Sequence, residues 1–267
     1  MQPKILIPTG YGLNCENETA YAFASVGGTA DRIHLSEVFA RPAILESYQV
    51  LAMVGGFSFG DHIAAGKVLA NRYKHRLAEH LERFIQDGKL VVGMCNGFQS
   101  MVQYGLLPGF EGNYHEQLIS LAPNCSGVFE DRWITLAANA GSRCVFTNNM
   151  RTMELPVRHG EGRLVVRDEN VLSKLWADGQ VALQYVDSKT GQATMEYPSN
   201  PNGSVDSIAG ICDSSGRVFG LMPHPEAYSN PYNHPNWILQ RRSRSFPEEG
   251  AGLQIFRNAV EYVRRNF

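Results

Sequence analysis

The sequence predicts an α/β protein with a mostly parallel central sheet flanked by helices and a β-rich C-terminal half. In the first part of the chain, short apolar runs alternate with longer segments of helical periodicity. Strands that alternate with helices in this way form parallel sheets covered on both faces. From about residue 127 to 223, strand-like runs instead follow one another, separated by Gly, Asn and Pro.

The elements of the first part follow from apolar spacing and from the residues that end each run. A helix from Asn14, its predicted N-cap, through Val26 stops at a pair of glycines. A longer helix ends at Asp87-Gly88, and its apolar residues recur at spacings of four and three. The predicted strands are 5–7, 30–34, 50–54 and 89–93, and the longer helix buries Leu69, Tyr73, Leu77, Leu81 and Phe84.

The second part is predicted to hold six strands and a final amphipathic helix. That helix runs over about 251–264, and no internal repeat interrupts the chain. We therefore predict one integrated domain over residues 1–267. The predicted strands are 128–138, 143–148, 164–166, 181–186, 208–211 and 218–222.

Composition limits the classes of partner. With 24 basic and 26 acidic residues, the formal net charge of -2 gives no general attraction for nucleic acid or for a membrane surface. No apolar run approaches the roughly 20 residues that cross a bilayer. The five cysteines are odd in number, show no CxxC spacing and follow no secretory leader, so we expect a cytoplasmic location.

One pentapeptide, Gly93-Met94-Cys95-Asn96-Gly97, places a thiol on a turn between a predicted strand and a predicted helix. A G-x-nucleophile-x-G turn needs both glycines because the backbone is strained there and larger side chains would crowd the reacting atom. The helix N-terminus favours the reactive thiolate. A lone cysteine after a core strand is more often a buried apolar residue, but the flanking glycines favour a nucleophile.

His224 is the histidine best suited to act as the base. It follows the predicted strand 218–222, and the prolines around it hold the backbone extended, so that Glu226 projects to the same side. A carboxylate that orients an imidazole, which in turn takes a thiol proton, forms a triad. An isolated H-x-E is as often a surface polar pair, so the interpretation depends on Cys95.

A glycine-rich segment after the third strand predicts an oxyanion hole. Gly55 and Gly56 follow strand 50–54, where their backbone amides can meet the amide of Asn96. The segment matches the pattern of a phosphate-binding loop poorly, because Gly66-Lys67 is followed by Val68 and not by Ser or Thr. We therefore predict no nucleotide site there.

Taken together with residues 105–109, 159–163 and 200–204, these motifs resemble the class I glutamine amidotransferases of the triad type, whose fold is flavodoxin-like. Within that class they are similar to the glutaminase subunits of phosphoribosylformylglycinamidine synthase. The resemblance runs nearly end to end and keeps the family's order. It is carried by residues 55–61, 93–99, 105–109, 159–163, 200–204 and 222–226.

The resemblance implies a reaction and a set of partners. Cys95 would attack the side-chain amide of L-glutamine, while Gln99 and the backbone near Gly56 hold the substrate. Ammonia would pass to a separate synthetase subunit that makes the amidine of formylglycinamide ribonucleotide, with a small third subunit joining the two. The implied cofactors, ATP and magnesium, belong to the synthetase, and none is expected in this chain.

Other features carry further predictions. His159 and Glu161 lie in a glycine-rich loop that is either near the thioester, at the synthetase interface or a plain turn. Cys15 is expected to be a packed or helix-start thiol without a catalytic role. The remaining histidines lack metal-ligand spacing, so no metal is predicted; they include His62, His75, His80, His115 and His234.

Residues 228–249 form an extension relative to the shortest family members, and Arg241, Arg242 and Arg244 cluster within it. Such a cluster is either a partner contact or a solvated face. Two alternative functions also stay open. One is another cysteine-dependent amidohydrolase, and the other is a regulatory subunit that has lost the chemistry.

Overall fold

The computed structural model describes residues 1–242 and 246–267, which contain a large mixed sheet with helices packed against it. The strands are β1 Lys4–Thr9, β2 Thr29–His34, β3 Val50–Met53, β4 Leu90–Met94, β5 Ile119–Pro123, β6 Glu130–Ala138, β7 Thr152–His159, β8 Glu161–Val166, β9 Val181–Val186, β10 Ile208–Cys212 and β11 Val218–Leu221. The helices are α1 Glu16–Ser25, α2 Leu35–Ala40, α3 Lys67–Gln86, α4 Asn96–Tyr104, α5 Glu169–Ala177, α6 Trp237–Arg242 and α7 Leu253–Asn266.

The large sheet has nine strands in the order β2-β1-β3-β4-β11-β10-β9-β6-β7. The pairs from β2 to β11 are parallel, and those from β11 to β7 are antiparallel. The predicted α/β class, with a parallel sheet and a β-rich C-terminal half, is confirmed. Because β3, β4 and β11 are parallel neighbours, the segments after them emerge at the same edge of the sheet. Such an edge is where ligands bind in open α/β sheets.

The central parallel strands are buried on both faces. All residues of β3 and β4 are buried, as the continuous apolar runs at these positions predict. Helix α3 buries the predicted apolar stripe, Leu69, Tyr73, Leu77, Leu81 and Phe84.

Two local predictions are wrong. The segment predicted as strand 143–148 contains a short 3-10 turn, Val145–Thr147. Its carbonyls at Phe146 and Asn148 accept hydrogen bonds from the Asn258 side chain of α7, so its apolar residues pack against that helix. Helix α1 is preceded by Cys15 at the N-cap, and no cap side-chain hydrogen bond forms, so Asn14 does not cap it.

Five of the elements given above lie outside the predicted ones: β5, β7, α2, α5 and α6. Strand β7 contains Pro156 and lies at the end of the sheet, where a residue without an N–H is tolerated. Helix α5 begins after Asp168, whose carboxylate accepts from two backbone N–H groups of the first turn. Strand β5 pairs with β8 in a separate two-stranded sheet.

The 228–249 extension packs partly against the antiparallel half of the sheet. His234 is buried, and the centroid of its ring lies 4.7 Å from that of the Trp133 ring. Its Nε2 lies 3.0 Å from Glu154 Oε2. Arg241 and Arg242 are exposed at the end of α6, whereas Arg244 lies outside the described residues. Partner contact by this cluster stays a prediction.

In the part of the chain that the structure describes, each helix is too short or too polar to cross a lipid bilayer.

Candidate active site

Cys95 stands at the junction of β4 and α4 in a backbone conformation that few non-glycine residues adopt. Its φ is 49° and its ψ is -108°, a strained geometry of the kind found at functional turns. Its N–H donates to the carbonyl of Leu221, which continues the β4–β11 ladder to the thiol-bearing residue. A side chain on Gly97 would lie 1.9 Å from the carbonyl oxygen of Met53. The second glycine of the pentapeptide is therefore required by close packing against β3.

His224 and Glu226 follow β11, the strand beside β4. The His224 N–H donates to the carbonyl of Pro156 in β7, and Pro225–Ala227 forms a 3-10 turn. This geometry brings His224 Nδ1 within 2.6 Å of Glu226 Oε1, and both side chains are buried. An Nδ1–H donated to the carboxylate leaves Nε2 as the basic nitrogen. His224 Nε2 has no hydrogen-bond partner among the described residues.

Several influences set the proton affinity of His224. Burial is the largest single influence and lowers the pKa of its imidazole, but the Glu226 carboxylate and the Cys95 and Cys15 thiols together raise the pKa well above its usual value. The imidazole is therefore a strong proton acceptor from Cys95. Two predicted residues that are 129 positions apart in the sequence thus interact across adjacent strand ends.

Gly55 and Gly56 lie beside these side chains. A Cβ on Gly55 would lie 2.9 Å from His224 Cε1 and 3.5 Å from Cys95 Cβ. Gly56, with φ 143°, forms an isolated antiparallel bridge to Leu13, and the hydrogen bonds of that bridge are made by the residues on either side. In such a non-hydrogen-bonded pair, the Gly56 N–H points away from the partner segment.

Asn96 contributes both its backbone and its side chain. As the first residue of α4, it has an N–H without an intrahelical partner. Its side chain donates to Asp61 Oδ1 at 3.2 Å and to Gln99 Oε1 at 2.9 Å, and it accepts from the Ser58 N–H at 3.2 Å. The glycine-rich segment and α4 are therefore fastened together. The roles of Gly56 and Asn96 as oxyanion donors stay predictions.

Gln99 and Glu161 join α4 to the start of β8. Gln99 Nε2 donates to the backbone carbonyl of Glu161, and the Glu161 carboxylate accepts from the Ala65 N–H at 3.2 Å. Asp61 also accepts from the Gly66 N–H, and burial raises its pKa. Asp61 lies inside the motif of residues 55–61, but no separate signal in the sequence marks its position.

His159 is buried at the end of β7, and its ring has a defined tautomer. Nδ1 lies 3.1 Å from Asn124 Oδ1, while the Asn124 amide group donates to the carbonyls of His159 and Val128. The amide oxygen is then an acceptor, so Nδ1 of His159 carries the proton and Nε2 has a free lone pair. Burial, followed by the nearby His224, lowers the pKa of His159 to about 3.

A Cβ on Gly162 would lie 2.5 Å from Cε1 of the His159 ring. The second glycine of the 159–163 motif therefore makes room for the imidazole. His159 Nε2 has no hydrogen-bond partner in residues 1–242 and 246–267. Asn124 fixes the tautomer of His159 but could not be identified from the sequence. It lies 35 residues before His159 and belongs to no recognised motif.

A cavity of about 190 Å³ opens beside the thiol. This is smaller than the roughly 300–1,000 Å³ of pockets for drug-sized ligands, so it suits a small metabolite. Two exposed aromatic side chains, Phe57 and Phe129, lie at this cavity with their ring centroids 6.4 Å apart. The lining includes Gly56, Asp61, Cys95, Gln99, His159 and Glu161.

Cys15 also reaches the predicted triad. Its Sγ lies 4.0 Å from His224 Nδ1, on the same side as Glu226. Burial, the largest influence, raises the pKa of this thiol, and the thiol donates to Asn14 Oδ1 at 3.3 Å. Cys15 is therefore a helix-start residue, as predicted, but it contacts the imidazole as well.

Comparison with known proteins identifies the family. The CobB/CobQ-like glutamine amidotransferase domain matches residues 2–263. The chain is 44% identical over 262 residues to "Phosphoribosylformylglycinamidine synthase subunit PurQ" of Dehalococcoides mccartyi, with 98% of each chain covered. It is 40% identical to the protein of the same name from Methanococcus maripaludis, with 99% of this chain and 100% of the relative covered.

Solved structures agree with this assignment. A chain in the structure of PurLQS from Thermotoga maritima has a TM-score of 0.71 and 29% identity, and the match covers 98% of this chain and 100% of that one. A glutamine amidotransferase from the same organism shares the fold, with a TM-score of 0.51 at 13% identity over 99% of this chain and 93% of that one. The chain belongs to the CobB/CobQ-like glutamine amidotransferase family.

Proposed function

We propose that the chain is the glutaminase subunit of phosphoribosylformylglycinamidine synthase. It hydrolyses L-glutamine through a cysteinyl thioester and supplies ammonia to a separate, ATP-dependent synthetase subunit. The observation that carries this proposal is the thiol of Cys95 on a positive-φ turn beside the buried pair of His224 and Glu226. The full-length likeness to proteins named as PurQ subunits supports this particular amidotransferase over others in the class.

In the first step, His224 Nε2 takes the proton of the Cys95 thiol. The sulfur forms a bond to the side-chain carbonyl carbon of glutamine, and the π electrons of that carbonyl move to its oxygen. Glu226 keeps Nδ1 protonated and stabilises the imidazolium that results. The high pKa of His224 and the small separation of its ring from Glu226 support this assignment.

The N–H groups of Gly56 and Asn96 stabilise the oxyanion. Both groups lie at the carboxyl ends of neighbouring parallel strands and lack a partner within their own bridge or helix. Each such donor contributes about 3 kcal/mol to the stability of a tetrahedral intermediate. The intermediate then collapses: the His224 imidazolium donates its proton to the amide nitrogen, the C–N bond breaks and ammonia leaves.

Water completes the cycle. His224, neutral again, removes a proton from a water molecule that attacks the thioester carbonyl. Glutamate leaves as the C–S bond breaks, and the sulfur recovers its proton from the imidazolium.

The small cavity selects the substrate. Gln99 holds the start of β8 in place, and the lone pair of His159 Nε2 accepts a hydrogen bond from a donor group of the bound amino acid. A buried acceptor left unpaired costs about 1–3 kcal/mol, so a substrate with a donor at this position is favoured over one without it.

The partners follow from the proposed reaction. The synthetase subunit binds ATP and magnesium and uses the ammonia to convert formylglycinamide ribonucleotide to its amidine, and a small third subunit joins the complex. The full-length likeness to a chain of the Thermotoga maritima PurLQS structure supports a multisubunit assembly. We place this complex in the cytoplasm, in keeping with five free cysteines in the described chain.

The test is glutamate release from glutamine by the wild type and by Cys95→Ala, alone and with the cognate synthetase and its ATP-dependent substrates. Cys125→Ala is the matched control, because Cys125 is exposed and free. We expect release that requires Cys95, persists in the control and rises with the partner.

Two outcomes would overturn the proposal. Equal cleavage of simple amides and glutamine, without ammonia transfer to the synthetase, would identify another cysteine amidohydrolase. Absence of glutamate release in every mixture, while free ammonia still supports the synthetase, would identify a regulatory subunit.

A further inference from the structure

Three side chains of metal-binding type meet beside the imidazole of His224. Cys15, His224 and Glu226 each place a ligand atom within 4.8 Å of the other two. Thiolate, imidazole and carboxylate together form a donor set that suits zinc and similar borderline cations. This set cannot be recognised from the sequence, because Cys15 precedes His224 by 209 residues.

The donors are close to the separations that a bound cation needs. Zinc binds sulfur at about 2.3 Å, nitrogen at about 2.0 Å and carboxylate oxygen at about 2.1 Å, so its tetrahedral ligand atoms stand about 3.3–3.6 Å apart. Cys15 Sγ lies 4.0 Å from His224 Nδ1, and Nδ1 lies 2.6 Å from Glu226 Oε1. Forming a three-ligand site with one open position therefore needs the sulfur–nitrogen separation to shorten by about 0.4–0.7 Å and the nitrogen–oxygen separation to lengthen by about 0.7–1.0 Å.

Two atoms of the cluster, Glu226 Oε2 and Cys15 Sγ, can each form a further bond. Glu226 Oε2 is buried and lacks a hydrogen-bond partner among the described residues. The Cys15 thiol donates to Asn14 Oδ1 at the edge of the site, and a Cβ on Gly55 would lie 3.1 Å from its sulfur. The absence of a side chain at Gly55 leaves the sulfur free to turn towards the imidazole.

We propose that Cys15, His224 and Glu226 form an inhibitory site for a borderline divalent cation such as Zn²⁺. Binding displaces the proton of the Cys15 thiol and the Nδ1 proton of His224 to solvent. The cation then replaces the Nδ1–H···carboxylate hydrogen bond. His224 can no longer be stabilised as an imidazolium by Glu226, and proton transfer from Cys95 stops.

The site is distinct from one in which a cation bridges Cys95 and His224 Nε2. That arrangement would use the nucleophile itself and leave Cys15 and Glu226 unchanged. The two sites predict opposite effects of removing each thiol, and this difference provides the test.

The experiment is titration of the purified full-length chain with Cd²⁺, followed by the ultraviolet charge-transfer absorbance of a cadmium–thiolate bond, and with Zn²⁺ in competition. The chains compared are the wild type, Cys15→Ser, Cys15→Ala, Cys95→Ala and the exposed-thiol control Cys125→Ser. We expect one tight site in the wild type, Cys95→Ala and Cys125→Ser. Affinity should fall on the order of 100-fold in both Cys15 variants, since even weaker perturbations of a zinc site cost 10–100-fold.

Loss of the site in Cys95→Ala with retention in both Cys15 variants would overturn the proposal, as would absence of tight binding in the wild type. Thermal unfolding of each chain without metal identifies any variant that fails to fold, and stabilisation by Zn²⁺ gives a second measure of binding. Because absorbance needs no turnover, this test is independent of the proposed glutaminase function. Where activity is measured, inhibition by Zn²⁺ should be reversed by a chelator and should require Cys15.

Discussion

The buried imidazole of His159 makes a quantitative prediction about stability. Its pKa is about 3 in the folded chain against an ordinary value of 6.5, chiefly because burial disfavours the charged ring. Above pH 6.5 the ring is neutral in both states and contributes no pH dependence. Below pH 6.5 the unfolded chain binds a proton that the folded chain does not, so the free energy of unfolding falls as the pH falls.

The magnitude follows from linkage. Each pH unit between 6.5 and about 3 removes about 1.4 kcal/mol, so the loss at pH 5.0 is about 2 kcal/mol. Replacing His159 by Gln abolishes this contribution and leaves the other titrating groups in place. Between pH 7.5 and 5.0, we therefore expect the wild type to lose about 2 kcal/mol more than His159→Gln.

Urea unfolding of both chains at the two pH values measures this difference, and the carboxylates and other histidines cancel in the comparison. The NMR chemical shift of the His159 ring should also stay that of a neutral imidazole down to pH 5. Parallel pH dependence of the two chains would refute the reasoning, because it would mean that His159 takes up its proton in the folded state near the ordinary pKa.

Two further predictions concern the thiol turn and its base. Replacing Glu226 by Gln removes the carboxylate that raises the pKa of His224, so steady-state kinetics should show kcat for glutamine hydrolysis reduced at least about 10²-fold with KM little changed; an unchanged kcat would contradict the proposed role. Replacing Gly97 by Ala places a methyl group 1.9 Å from the Met53 carbonyl oxygen and should lower the free energy of unfolding by about 1–3 kcal/mol. Gly141→Ala is its control, since the nearest atom to that Cβ is 3.5 Å away, and equal urea stability of the two variants would show that the turn relaxes.

The parallel half of the fold was predictable because its signals are local. Apolar β-branched runs predict the buried strands β3 and β4, and a spacing of three and four predicts α3. The pentapeptide around Cys95 likewise predicts its own turn, since glycine is needed where a side chain would meet neighbouring backbone. These properties depend on neighbours within a few positions, so they can be predicted from the sequence alone.

The antiparallel half was harder to predict. Strand β7 carries a proline and qualifies as a strand only because it lies at the edge of the sheet. The segment predicted as strand 143–148 has a suitable apolar composition but packs against α7. In both cases the deciding contact is distant in sequence, so local composition cannot reveal it.

The fold class, the thiol turn and the spacing that lets Glu226 meet His224 all follow from the sequence. Tertiary structure alone decided that Cys15 lies against the same imidazole and that Asn124 fixes the tautomer of His159. The physical reason is the range of the interactions. Periodicity and turn chemistry act over a few residues, whereas the closeness of side chains on separate strands depends on how the sheet orders them.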